Sequence, residues 1–170
     1  MNSSILLTDL AKGIRFDNAS KGFDPTEGGV ERYLLLTISE ICEGQNEIRD
    51  GHPPNHIYFS TGNKPEGFPV ELADAIIRIL DIQAKLELNI ELLRGAYTFD
   101  TTSTLDRELL SVCRVIAQAG EKEHNMTFKL NLALSALFQI AENLDIDIMH
   151  TIEMKLAYNR TRPPKHGRKF

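Results

Sequence analysis

Two pairs of carboxylates carry most of the chemistry this chain could perform. Glu40 and Glu43 lie in "SEICE", and Glu71 and Asp74 in "PVELAD". Each pair is spaced i, i+3 in a segment of helical period, so both side chains of a pair project from one helix face. Glu47 continues the first face by one turn. If the two helices pack antiparallel, four carboxylates converge on one point. At an effective dielectric of ~20, two such charges ~6 Å apart repel by about 3 kcal/mol. Such a cluster persists only with a cation or bound protons. Oxygen-only ligands select hard ions, Mg²⁺ or Mn²⁺, over zinc. The same residues admit a plainer reading. Glu71, Asp74, Arg78, Asp81 and Lys85 form a 3-4-3-4 polar stripe, the pattern of a solvated helix face.

The elements that must position these residues are helical. Apolar residues recur at helical period, which predicts helices near 4–16, 29–50, 69–86, 102–120, 127–143 and 146–160. "NASKGFDPTEGG" reads as a loop between the first two. "DGHPPNHIYFSTGNKPEG" reads as a long loop, since its prolines and glycines cannot continue a helix; a loop of this length in a compact domain is often functional. "HIYFS" at 56–60 is the one strand signal. Pro163-Pro164 stops the last helix. An internal echo is also present. A shift of 71 residues lays Ile38, Ile41 and Cys42 on Leu109, Val112 and Cys113. A shift of 58 lays "ILDIQAKLELNI" on "LFQIAENLDIDI". Under these shifts Glu40, Glu43, Glu71 and Asp74 become Ser111, Arg114, Lys129 and Leu132. Either a second helical pair has kept the packing pattern and lost the acids, or two amphipathic helix pairs resemble each other by chance.

Composition bounds the rest. The chain has 170 residues, 42% hydrophobic and 25% charged, ordinary values for one globular domain. No apolar run reaches the length of a membrane span, and the first residues lack the basic-then-apolar pattern of a signal peptide. Cys42 and Cys113 show no CxxC spacing, so neither a disulfide framework nor a zinc site is expected, and a reducing cytoplasm fits. Net charge is −5, yet the last eleven residues hold five cations and no acid, which leaves −10 over residues 1–159. An acidic body is a poor nucleic-acid binder, because phosphate neutralisation needs many cations. The basic tail suits a small polyanion bound through metal, or is simply a disordered, solubilising end.

"SEICE" followed after a long loop by "KPEGFPVELADAIIRILD" resembles the MazG-like family of all-α nucleoside triphosphate pyrophosphohydrolases. The shared pattern is an ExxE helix, a spacer and an ExxD helix. "EMKLAYNRTRPPKHGRKF" at 153–170 is similar to the family's closing segment, and "KGF" at 21–23 to a stretch that often precedes the ExxE helix. The resemblance covers about 20–90 and 145–168 and is interrupted between them. It implies an all-α helical bundle in a single domain, 1–170. Residues 1–90 and 145–160 would form the core, 91–144 an additional helical pair inserted before the last helix, and 161–170 a basic tail. It also implies cleavage of a nucleoside triphosphate between the α- and β-phosphates. Glu40, Glu43, Glu71 and Asp74 would ligate Mg²⁺ (Mn²⁺ as substitute), and Glu40 or Glu43 would also orient the attacking water.

Cations must hold the rest of the triphosphate. Lys155, Asn159 and Arg162, spaced four and three apart, could share one face of the last helix, and Lys64 precedes the acidic helix. Lys155 and Arg162 are equally explained as cations near a helix C-terminus. Tyr158 could stack on a base or simply pack. His166 reads as a tail histidine. The resemblance implies a homodimer or higher homo-oligomer, unless the added pair supplies an internal partner. A phosphoribosyl-ATP substrate is a further option that no residue demands. The alternative of a different class is a non-catalytic helical nucleotide-binding or assembly module.

Overall fold

The structure, a computed structural model, describes residues 3–99, 102–121 and 125–167, with side chains from Leu6 onward and without that of His166. The tail cations Arg168 and Lys169 and the His166 side chain lie outside what is described. Among the described residues there are six α-helices: α1 (Ser3–Ser20), α2 (Val30–Arg49), α3 (Phe68–Lys85), α4 (Leu105–Ala119), α5 (Met126–Asn143) and α6 (Ile148–Thr161). Two short strands, β1 (Tyr58–Ser60) and β2 (Lys64–Glu66), form an antiparallel hairpin, and a 3₁₀ turn covers Pro164–Gly167. The architecture is mostly helical, and no described helix is long and apolar enough to cross a membrane.

α3 is the central element. Its apolar residues face in every direction: Val70, Ala73, Ala75, Ile76, Ile79, Leu80 and Ile82 are all fully buried. A helix apolar all round belongs in the interior, and α1, α2, α5 and α6 each pack against it. α2 runs antiparallel to α3, since Gly44 lies against Phe68, Glu40 against Arg78 and Tyr33 against Asp81. Gly44 permits this approach: a Cβ there would lie 3.1 Å from the Phe68 ring and 3.4 Å from the Glu71 Cβ. Thr104, Asn125 and Asp147 cap α4, α5 and α6, each side chain accepting a hydrogen bond from a first-turn N–H.

Three boundaries differ from the sequence reading. α1 runs to Ser20 rather than 16, because Asp17 and Asn18 are held in its last turn by Arg160 and Asp81. The long loop contains the hairpin, turned through Gly62 and Asn63 at positive φ. Its last residue, Gly67, has φ 112°, and a Cβ there would collide with the His56 carbonyl oxygen; only glycine fits. The described part of the tail, to Gly167, is held by contacts to the α1–α2 turn. The Lys165 N–H donates to the Lys21 carbonyl (2.8 Å), and its ammonium lies 3.2 Å from Glu27. Lys21 in turn donates to the carbonyls of Arg160 and Arg162.

The internal echo extends to backbone geometry. A shift of 58 residues carries the bounds of α3 onto those of α5. Both helices end in the same Schellman turn. Glu87 (φ 53°) and Asp145 (φ 54°) take the left-handed position. Leu88 N–H to Gln83 O and Ile146 N–H to Ala141 O are both 2.9 Å. α4 packs on α5 as α2 packs on α3.

Gly44 yields a direct test of the helix approach. Gly44→Leu should destabilise the chain by about 1–3 kcal/mol through overpacking, read as a fall in Tm. Gly44→Ala should cost clearly less, because only ring and side-chain atoms must give way.

Candidate functional site

The polar stripe of α3 is largely enclosed. Glu71 is 6% and Asp81 0% exposed, and their neighbours Glu40 (7%) and Lys155 (4%) are buried too. Asp74 and Arg78 are half-buried, and only Lys85, at the end of the stripe, is exposed. Packing by the surrounding helices removes most of the water expected on this face. Charges buried in this way must be paired or neutralised, and the stripe is answered rung by rung. Lys85 meets Asp24 at 2.9 Å. Asp81 accepts from Arg15 (2.7 Å), Asn18 (2.8 Å) and the Tyr33 hydroxyl (3.0 Å). Arg78 donates through Nε (2.7 Å) to Glu40, with Nη2 2.5 Å from the same oxygen as an ion pair, and its guanidinium lies 5.5 Å from the Tyr33 ring centroid. Asp74 pairs with Lys155 at 2.5 Å.

Glu71 is the exception. Among the described residues no ion pair reaches it, and it meets acids instead. Glu40, Glu43 and Glu71 each offer a carboxylate oxygen, all within 4.8 Å of one another. Burial, reinforced by the Asp74 charge, pushes the Glu71 carboxyl up to about 8. Burial also raises Glu40, against the pull of Arg78. Lys155 stays protonated: burial disfavours its charge, and the Asp74 carboxylate outweighs that.

This cluster opens into a cleft of about 220 Å³ between α2, α3, the end of α6 and the α1–α2 turn. Eight of the residues singled out from sequence line it: Glu40, Glu43, Glu71, Asp74, Lys64, Lys155, Asn159 and Arg162. Within it their roles differ. The three glutamates can share a ligand although Glu40 also meets Arg78 and Glu43 accepts from the Ser39 hydroxyl at 3.1 Å, while the Asp74 carboxylate is engaged by Lys155. Lys64 is held by Glu66 at 2.7 Å. The Asn159 side-chain oxygen is buried without a hydrogen-bond partner among the described residues, an acceptor with room for a donor. Tyr158 does not line the cleft; its ring lies beneath Arg162, whose guanidinium is 5.9 Å from the centroid. Glu47 turns to the hairpin, where the Tyr58 hydroxyl donates to it at 3.1 Å.

The donor set fits a hard divalent cation. Three carboxylates from two helices supply oxygen alone, and no sulfur or imidazole ligand lines the cleft among the described residues. A larger, more open groove of about 450 Å³ beside α5 contains none of the residues singled out from sequence.

Phe23, in the "KGF" segment singled out from sequence, lines the cleft, whereas nothing in the sequence pattern points to Arg15, Asn18 or Tyr33. No spacing rule links α1 to α3 across more than 60 residues. Arg78 and Asp81 did carry a signal, since they continue the Glu71–Asp74 face, but burial was needed to interpret it. The chain matches no protein-family model, no curated protein and no solved structure.

The Glu71 shift sets a pH dependence. Its ordinary value is 4.5 and its folded value about 8, so between them the folded chain holds a proton that the unfolded chain releases. Stability through this group is full below about pH 4.5 and is lost as pH rises through about 8. Glu71→Gln should remove that decline, gaining on the order of a few kcal/mol over the wild type by about pH 9. Tm measured across pH for both proteins checks it: parallel curves would contradict the assignment.

Proposed function

We propose that the chain is a Mg²⁺-dependent nucleoside triphosphate pyrophosphohydrolase, releasing pyrophosphate and a nucleoside monophosphate. Support comes above all from one observation: three glutamates of two antiparallel helices meet within 4.8 Å in a cleft that also holds Lys64, Lys155 and Arg162. The resemblance in the ExxE, ExxD and closing segments points the same way.

Glu40, Glu43 and Glu71 would hold the metal, which when bound would offset triphosphate charge and polarise the phosphoryl group. Phosphoryl transfer is mostly positioning and charge neutralisation, and the other residues suit those tasks. Arg78 fixes the Glu40 carboxylate with an Nε–H hydrogen bond and an ion pair to one oxygen. Lys155 neutralises Asp74 and keeps further donors for phosphate oxygens. Arg162 and Lys64 stand at the mouth as cations for the terminal phosphates. Asn159 offers its unpartnered oxygen to a donor on the substrate or on a bound water. Glu43, exposed at the rim of the cluster, is the carboxylate best placed to accept a proton from an attacking water. House-cleaning of non-canonical nucleotides is one physiological use of such a reaction.

A second reading has its own support. Glu40 and Asp74 are already neutralised by Arg78 and Lys155, so the charges balance with few additions, as suits a helical module that binds nucleotide without cleaving it.

Purified protein with a nucleotide panel and Mg²⁺ or Mn²⁺ should release pyrophosphate. Glu43→Gln and Glu71→Gln should each lower kcat/KM by roughly 100-fold or more, with circular dichroism unchanged. Folded, metal-loaded protein that turns over no nucleotide would defeat the hydrolase reading; calorimetric nucleotide binding without product would favour the second.

A further inference from the structure

Asp81 is a buried carboxylate that takes no part in the glutamate cluster. It is completely enclosed on α3, and burial raises its carboxyl against the three donors that favour the charged form. A buried ion of this kind is seldom a net source of stability, since a well-packed apolar side chain often does as well or better. Where its partners lead is therefore informative, and all of them lead to the cleft. Asn18 and Tyr33 line it. Arg15 donates both to Asp81 and to the carbonyl oxygen of Phe23, which lines it too. One carboxylate thus sets three cleft residues that come from α1, the α1–α2 turn and α2. Donation of Nδ2 to Asp81 fixes which way the Asn18 amide faces. Donation of the hydroxyl to Asp81, with the Arg78 guanidinium 5.5 Å from the ring centroid, fixes the Tyr33 ring in the cleft wall.

We propose that Asp81 is a positioning residue that sets nucleotide selectivity, holding Asn18, Phe23 and Tyr33 as the wall against which the sugar and base rest. This deepens the proposed function and shares with it only the premise that a nucleotide occupies the cleft. The carboxylates and cations claim the phosphate chain, so the rest of the substrate falls to two aromatic rings and an amide. That set supplies stacking area and one hydrogen-bonding edge. Asp81 itself touches no ligand.

The test compares wild type, Asp81→Asn and Tyr33→Phe on a nucleoside triphosphate panel and on inorganic tripolyphosphate, which has no nucleoside. Asp81→Asn should raise KM for nucleotides about tenfold and narrow the differences among bases, with kcat changed less than about threefold. Tripolyphosphate kinetics should stay put. Tyr33→Phe, which keeps the ring and loses one bond to Asp81, should shift the same ratio by less, and it guards against misfolding of the first variant. A purely structural Asp81 would lower Tm without moving the ratio of nucleotide to tripolyphosphate KM. An unmoved ratio in a folded variant, or equal losses on both substrates, overturns the proposal. Should the wild type turn over no nucleotide, calorimetry with Mg²⁺ and a non-hydrolysable triphosphate reads the same wall. Weaker binding by Asp81→Asn then upholds the proposal although the hydrolase reading has failed. Equal binding, or none by the wild type, overturns it.

Discussion

Everything in this molecule turns on the burial of a charged stripe on its central helix. α3 buries apolar residues around most of its circumference and is packed by α1, α2, α5 and α6, yet it carries Glu71, Asp74, Arg78 and Asp81 along one line that emerges only at the exposed Lys85. An enclosed charge without a partner costs several kcal/mol, so each rung recruits one from another element. Asp24 comes from the α1–α2 turn, Arg15 and Asn18 from α1, Tyr33 and Glu40 from α2, and Lys155 from α6. The ladder therefore fixes how four segments sit around α3. At Glu71 the pattern inverts, and acids face acids. Neutralisation left incomplete at that rung is what makes the place suited to a cation.

The second helical pair shows the same frame without the four clustered acids. At the positions aligned with the four acids stand Ser111, Arg114, Lys129 and Leu132. The apolar pattern, the helix bounds and the terminal Schellman turn are nonetheless shared with α3. α4 and α5 pack on α2 and α3, and Gln83 donates to Asn131 at 2.8 Å across that contact. The pair supplies apolar cover, and its buried acid, Glu108, accepts from the Tyr97 hydroxyl and does not line the cleft, so it adds nothing to the repulsion there.

The end of α6 does more than terminate a helix. Lys21 donates to the carbonyls of Arg160 and Arg162, Arg160 meets Asp17 at 2.8 Å, and Lys165 bonds back to Lys21 and Glu27. These contacts join two ends of the chain into one wall of the cleft. Asn159 and Arg162 are thereby held opposite the α1–α2 turn with its Phe23, Asp24 and Glu27. Lysine and arginine suit this task because they satisfy the bare carbonyls and the dipole at a helix C-terminus.

Local pattern was enough to read the helices, their order and the two acidic pairs, because period and punctuation are properties of neighbouring residues. Pro69 and Gly67 announce the start of α3, and i, i+3 spacing puts Glu71 and Asp74 on one face whatever surrounds it. Whether that face meets water or protein is a long-range matter. The same 3-4-3-4 stripe describes a solvated surface and a buried ladder equally well. Only the packing of α1 and α6 against α3 decided that Asp74 answers to Lys155, that Asp81 gathers Arg15, Asn18 and Tyr33, and that Tyr158 stands outside the cleft. The reason is physical: a side chain's partners are set by which helices exclude solvent around it, and solvent exclusion is a property of the assembled fold.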